Sequence, residues 1–166
     1  MYYAYEQVLQ DAYARVCRKY GLDVDPNAGK RFADGVRGWG PHADVPAPLK
    51  VMGEHYKLVI LSNADDSFLE DSVPRLGAEF HAVYTAEQAG YYKPRYGAFE
   101  YMFDQLDASP EDFVHVSSHT RYDLMPAYDL GFRNTVYLDR GYDPVTSGYG
   151  YVRAESLDEV NTMLGI

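Results

Sequence analysis

The sequence predicts an α/β fold, with a parallel sheet between flanking helices. Three observations carry that expectation. Lys57-Leu58-Val59-Ile60-Leu61-Ser62-Asn63 is a short apolar run that ends abruptly in polar residues, the pattern of a strand buried on both faces. Phe113-Val114-His115-Val116-Ser117 and Thr135-Val136-Tyr137-Leu138 repeat it downstream. Between these runs, apolar residues recur at spacings of three and four, so strand and helix alternate as parallel sheets require. Ligands of such sheets bind beyond the carboxyl ends of the strands, which makes Ser62 and the residues after Ser117 the places to look for chemistry.

In chain order, Tyr5, Val8, Leu9, Ala12, Tyr13, Val16, Cys17 and Tyr20 form one apolar stripe, so a helix is expected there with Gly21 beyond its end. Asp25-Pro26 supplies an N-cap and a proline at the first helical position for a second helix to about Arg37. Trp39-Gly40-Pro41-His42 is turn-rich. Asp44, Pro46 and Pro48 then open a short helix through Met52 into the key strand. Asp65-Asp66 suits the start of a helix that buries Phe68, Leu69, Val73 and Leu76 and stops at Gly77. Ala82–Thr85 reads as a strand and Gly90-Tyr91-Tyr92-Lys93-Pro94 as a loop, because proline biases Lys93 away from helix. Phe99, Met102, Phe103 and Leu106 mark the next helix, Ser109-Pro110-Glu111-Asp112 a capped turn, and Arg121–Leu130 a helix closed by Gly131. After Leu138 a Gly/Pro/Tyr-rich loop leads to a last helix over Ser156–Leu164.

Composition narrows the function. A length of 166 residues with 46% hydrophobic content suits one domain with an ordinary core. The net charge of −10 argues against nucleic acid and against anionic membranes, yet local Lys, Arg and backbone N–H groups can still hold a small anion. Cys17 stands alone, so no internal disulfide forms. With no signal-peptide core and no apolar run of about 18 residues, a cytoplasmic protein is expected. The seventeen tyrosines, clustered at Tyr2, Tyr3 and Tyr5 and again at Tyr142, Tyr149 and Tyr151, read either as scattered half-buried aromatics or as a subunit contact, with a homodimer as the corresponding assembly.

Each candidate site residue has a plain reading beside the functional one. Ser62 and Asn63 either bind an oxyanion or cap the following helix. Lys93 is either a site cation or a solvated loop lysine. Asp123 lies where the helix dipole alone favours a carboxylate. His115, inside an apolar strand, is expected to be a satisfied core histidine, and His119, beyond the strand end, is the better site candidate. No Cys/His grouping has zinc-like spacing and no glycine-rich phosphate cradle is present, so no metal or other cofactor is expected.

Taken together and in order, Leu61-Ser62-Asn63, Tyr92-Lys93-Pro94 and Val116-Ser117-Ser118-His119-Thr120-Arg121-Tyr122-Asp123 resemble the motifs of the haloacid dehalogenase superfamily, most of all its type II 2-haloacid dehalogenases. The resemblance runs from about Trp39 to Arg140. It implies a Rossmann-like core over residues 41–166 and, in residues 1–40, the remnant of a helical cap. It also implies hydrolytic removal of halide from a small L-2-haloacid, in which an aspartate attacks the halogen-bearing carbon and the resulting ester is hydrolysed. By motif, Lys93, Ser118 and Asp123 are the catalytic residues present, while Ser62, Asn63 and His119 contact the substrate. Lys93 would orient and charge-balance the nucleophile, and Asp123 would place the hydrolytic water. Phosphatase relatives carry an acidic residue where Ser118 stands and use it to help hold magnesium. Its absence favours the metal-free branch. His119, Thr120 and Phe99 depart from the family pattern, which bears on substrate preference.

The family's nucleophilic aspartate ends a first strand that precedes the cap, and this sequence shows no counterpart. Asp23 and Asp25 follow an amphipathic helix and have no apolar strand before them. The expectation is therefore an N-terminally truncated dehalogenase, inactive alone, with an incomplete core open between the strands ending at Leu61 and Ser117. Such a slot favours dimerisation, closure or aggregation. The alternatives are a pseudoenzyme, a fragment completed by another chain, and a magnesium-dependent phosphatase-like hydrolase.

Overall fold

The computed structural model describes residues 2–166. Five strands and eight α-helices follow one another as α1 (Tyr5–Lys19), α2 (Pro26–Arg37), α3 (Pro46–His55), β1 (Val59–Ser62), α4 (Asp66–Ser72), β2 (Ala82–Thr85), α5 (Ala86–Ala89), α6 (Tyr96–Leu106), β3 (Val114–Ser117), α7 (Met125–Asp129), β4 (Asn134–Leu138), β5 (Val152–Ala154) and α8 (Leu157–Leu164). Local chemistry explains the boundaries. The Asp25 carboxylate accepts from the Asn27 N–H and Pro26 takes the first helical position, fixing where α2 begins. Gly77 and Gly165 take left-handed backbone angles at the ends of their helical segments, where a side chain would be strained.

All strand pairs are parallel, and they form two sheets, open between β1 and β3 where an incomplete core is expected. One holds β1 and β2, in register from Val59 opposite Ala82 to Ser62 opposite Thr85. The other has the order β3-β4-β5. The same two helical layers cover both sheets. On one face α3 and α8 bury Leu58 ahead of β1 together with Val116, Val136 and Leu138. On the opposite face Phe99, Met102, Ala127 and Phe132 pack against Val59, Leu61 and Tyr84. The sheets therefore lie in one layer whose hydrogen bonding is interrupted between β1 and β3.

Two local expectations change. A fifth strand, Val152–Ala154, lies in what reads as loop; two of its three side chains are exposed, so it lacks an apolar signature. The segment after β3 opens with a π-helical turn, Thr120–Leu124, before α7, instead of running as one α-helix. The amino-terminal tyrosines Tyr2 and Tyr5 are half-buried, in contacts within the chain. Tyr2 stacks on Tyr92 with ring centroids 5.5 Å apart, and Tyr5 meets Phe68 edge-on at 5.2 Å.

Those contacts dock the helical hairpin of α1 and α2 onto α4 and the loop before α6, and Asp65 between β1 and α4 adds to them. Asp65, only 8% exposed, accepts from the Tyr5 N–H with both carboxylate oxygens, at 3.0 and 2.9 Å, and also from the Tyr2 hydroxyl. A carboxylate borrowed from another element thus caps α1, where the helix dipole favours negative charge. From α2, Arg37 reaches the Ser67 carbonyl at 2.8 Å and lies over the Phe68 ring.

Candidate functional site

The carboxyl ends of β1 and β3 bring the motif residues together. Neighbouring carbonyls along a strand point to opposite edges. Leu58 turns its carbonyl to the second segment, accepting from the His81 N–H at 2.8 Å, so Leu61, three residues on, points the other way. There the Lys93 ammonium meets it at 2.7 Å. The same Nζ lies 2.6 Å from Asp123 Oδ1, in the turn after β3. One cation therefore links the open edges of both sheets, and its pair is shielded from solvent, with side chains 11% and 9% exposed.

Lys93 is held in place by Asn63. The Asn63 amide donates to the Lys93 carbonyl at 2.9 Å, and its oxygen accepts the Lys93 N–H at 2.6 Å. This reciprocal pair fastens the loop, which contains a cis Lys93-Pro94 peptide, to the end of β1. Both ends of the Asn63 side chain are engaged in this way, so its shown contacts are to the loop backbone. Ser62 and Ser118 lie half-buried at the ends of β1 and β3. His119 sits further out, with its side chain 41% exposed. It accepts the Tyr122 N–H at 3.4 Å and stacks on the Tyr122 ring at 4.3 Å.

Electrostatics keeps Asp123 ionised. Burial by itself would raise its carboxyl, but the adjoining imidazole of His115 and the Lys93 ammonium outweigh burial and hold it well below the usual carboxylate range. A carboxylate so stabilised is a weak proton acceptor at neutral pH and a good fixed hydrogen-bond acceptor.

Sequence reasoning missed His115. Its ring lies against Phe99 and Phe132, with centroids 5.8 and 5.4 Å away, as a core histidine should. Its Nε2, however, is buried without a hydrogen bond and faces Asp123 Oδ1 at 3.5 Å. The expected satisfied core histidine is thus unsatisfied and points at the site. Period-two alternation was the available signal, because it puts His115 on the same face as Ser117.

A cleft of about 540 Å³ is lined by His42, Asp139, Arg140, Tyr142, Arg153 and Glu155. Its arginines are already neutralised: Arg140 pairs with Asp44 at 2.6 Å and Arg153 with Asp139 at 2.7 Å. The Lys93 cluster has the stronger claim to chemistry, although it lies outside the cleft.

A parallel α/β core with helices on both faces, carrying Ser-Asn, Lys-Pro and Ser-x₄-Asp in that order at its strand ends and in the loop before α6, matches a haloacid dehalogenase-type fold, as the motifs imply. Comparison with known proteins agrees. The chain is 27% identical over 142 residues to the (S)-2-haloacid dehalogenase of Pseudomonas sp. (strain YL), covering 84% of this chain and 60% of that protein. It is 26% identical over 135 residues to haloacetate dehalogenase H-2 of Moraxella sp. (strain B), with 80% and 60% covered. Among solved structures, the fold matches L-2-haloacid dehalogenase from Xanthobacter autotrophicus with chloropropionic acid covalently bound, at a TM-score of 0.81 and 18% identity over 99% of this chain and 77% of that one. No family model matches. The chain spans 60% of the length of the curated relatives it matches. Among the described residues, no helix is long and apolar enough to cross a membrane.

Proposed function

We propose that this chain is the core and part of the cap of a 2-haloacid dehalogenase-type hydrolase, acting on a small L-2-haloacid without metal, and that it is catalytically incomplete by itself. The observation that carries this reading is the Lys93 ammonium, held between the outward carbonyl of Leu61 and Asp123. It sets a positive charge at the mouth of the gap between β1 and β3, where a carboxylate arriving on a further parallel strand would be oriented and charge-balanced. Among the described residues, Asp123 is the carboxylate paired with Lys93, and its hold on Oδ1 suits it to placing water rather than to attacking carbon.

An incoming aspartate oxygen forms a bond to C2 of the haloacid while the carbon–halogen bond breaks and halide leaves with the electron pair. Water placed by Asp123 then adds to the ester carbonyl. The bond between the ester carbonyl carbon and the oxygen bridging to C2 breaks, the 2-hydroxyacid departs carrying one proton of that water, the other proton is released to solvent, and the aspartate carboxylate is restored. Ser62, with the loop positioned by Asn63, and His119 would face the substrate carboxylate, and Ser118 would stand with Asp123 at the hydrolytic water. The α1–α2 hairpin, residues 1–40 with its connection, would belong to the cap and residues 41–166 to the core.

The test is halide release from an L-2-haloacid, without added metal, by this chain alone and by the same chain extended with an Asp-bearing first strand. Release only by the extended form is the expected result. Turnover by the unextended chain at the rate of a full-length relative would refute its incompleteness. If neither form releases halide, the dehalogenase reading falls, and phosphate esters with magnesium become the next substrates to try.

A further inference from the structure

We propose that His115 is a positioning residue for Asp123, turning the carboxylate so that Oδ1 is held toward the strand ends and Oδ2 is left to receive water. The inference rests on the reading of Asp123 as the group that places water, and it adds a residue which no motif contains.

Three observations carry it. The His115 Nε2 is buried without a hydrogen bond, a costly state for a polar atom and one that calls for a nearby partner. The ionised group it faces is Asp123, 3.5 Å away at Oδ1, slightly longer than an ordinary hydrogen bond and within reach of a small rotation of either side chain. That rotation is the only freedom left to the ring, because Phe99 on α6 and Phe132 ahead of β4 flank it. Lys93 approaches the same oxygen from the β1 side at 2.6 Å. Two donors from opposite sides on one oxygen fix the carboxylate plane more firmly than either could alone. The titratable groups in this cluster are His115 itself, Asp123 from the π turn and Lys93 from the loop before α6; α6 and the approach to β4 contribute aromatic rings.

This arrangement requires the neutral imidazole to carry its proton on Nε2. The lone pair is then on Nδ1, away from the carboxylate. It also requires Asp123 to lose part of its stabilisation when the ring is replaced by one that cannot donate. Glutamine, whose side-chain amide can donate at similar reach, should restore it.

NMR of the 166-residue chain tests both requirements without turnover. Long-range proton–nitrogen spectra should show the Nε2–H tautomer of His115 at neutral pH, and carbon-detected titration should place the Asp123 midpoint well below the usual carboxylate range. In His115→Phe the Asp123 midpoint should rise by roughly one pH unit or more, and His115→Gln should stay close to the parent. The Nδ1–H tautomer, or equal Asp123 titration in the parent and His115→Phe, would overturn the proposal. Failure of halide release in the extended protein would remove the dehalogenase reading while leaving these NMR results to decide whether His115 positions Asp123.

Discussion

Lys93→Met is the most informative single perturbation, because it removes the ammonium while keeping most of the side chain's volume. Asp123 is then left buried, 9% exposed, without its counter-charge, and the Leu61 carbonyl loses its donor at 2.7 Å. Removing one partner of a buried pair costs about 3–5 kcal/mol. The loss has a ceiling, because the stranded carboxyl can take up a proton. At pH 7 that costs roughly 4 kcal/mol for a group whose unfolded pKa is about 3.9, and the ceiling falls by about 1.4 kcal/mol per pH unit. The expected loss is therefore about 3–4 kcal/mol at pH 7 and only about 1–2 kcal/mol at pH 5. The parent has the opposite slope. Its Asp123 is depressed, so its contribution is fully present above the unfolded pKa and is lost as pH falls through the folded one. Urea unfolding at pH 7 and pH 5 measures the variant's slope against a parent whose Asp123 contribution is constant over that window. A loss below about 1 kcal/mol that does not change with pH would mean that the pair is solvated, and the electrostatic account of the site would be wrong.

Three further outcomes are expected. Asn63→Ala removes both bonds to the Lys93 backbone and should lower stability by about 1–3 kcal/mol in the same urea assay, with hydrogen exchange accelerated first in residues 91–95. Asp65→Ala uncaps α1 and should cost about 1–2 kcal/mol, read as faster exchange across Tyr5–Lys19 while β3 and β4 keep their protection. Burial pushes the Tyr92 hydroxyl up to about 12, so the folded state resists its ionisation and stability falls as pH rises from about 10 toward that value. Tyr92→Phe should flatten this alkaline decline in a pH-scanned thermal melt; an unchanged decline would show that another group causes it.

The sequence by itself determined whatever depends on neighbours along the chain. Asp25-Pro26 fixed the start of α2, Gly21 and Gly77 fixed where helical segments stop, and four apolar residues ending in Ser-Asn fixed β1, because caps, turns and burial periodicity are local effects. The order of three short motifs was enough for the resemblance and for Lys93 and Asp123 as site candidates; that the two pair with each other was not legible there. What remained hidden depends on partners distant in sequence. β5 is a strand through pairing with β4, without an apolar pattern of its own. The direction of His115 has meaning only because the π turn Thr120–Leu124 swings Asp123 back toward β3. The Asn63 amide is committed to a loop thirty residues away, and the Asp65 carboxylate to a helix that precedes it by sixty. The sequence reading could name the two strands that would flank an opening. That the sheets stay apart at β1 and β3, bridged by one ammonium, was decided by tertiary structure, since an edge carbonyl becomes a binding group only when folding brings a donor to it.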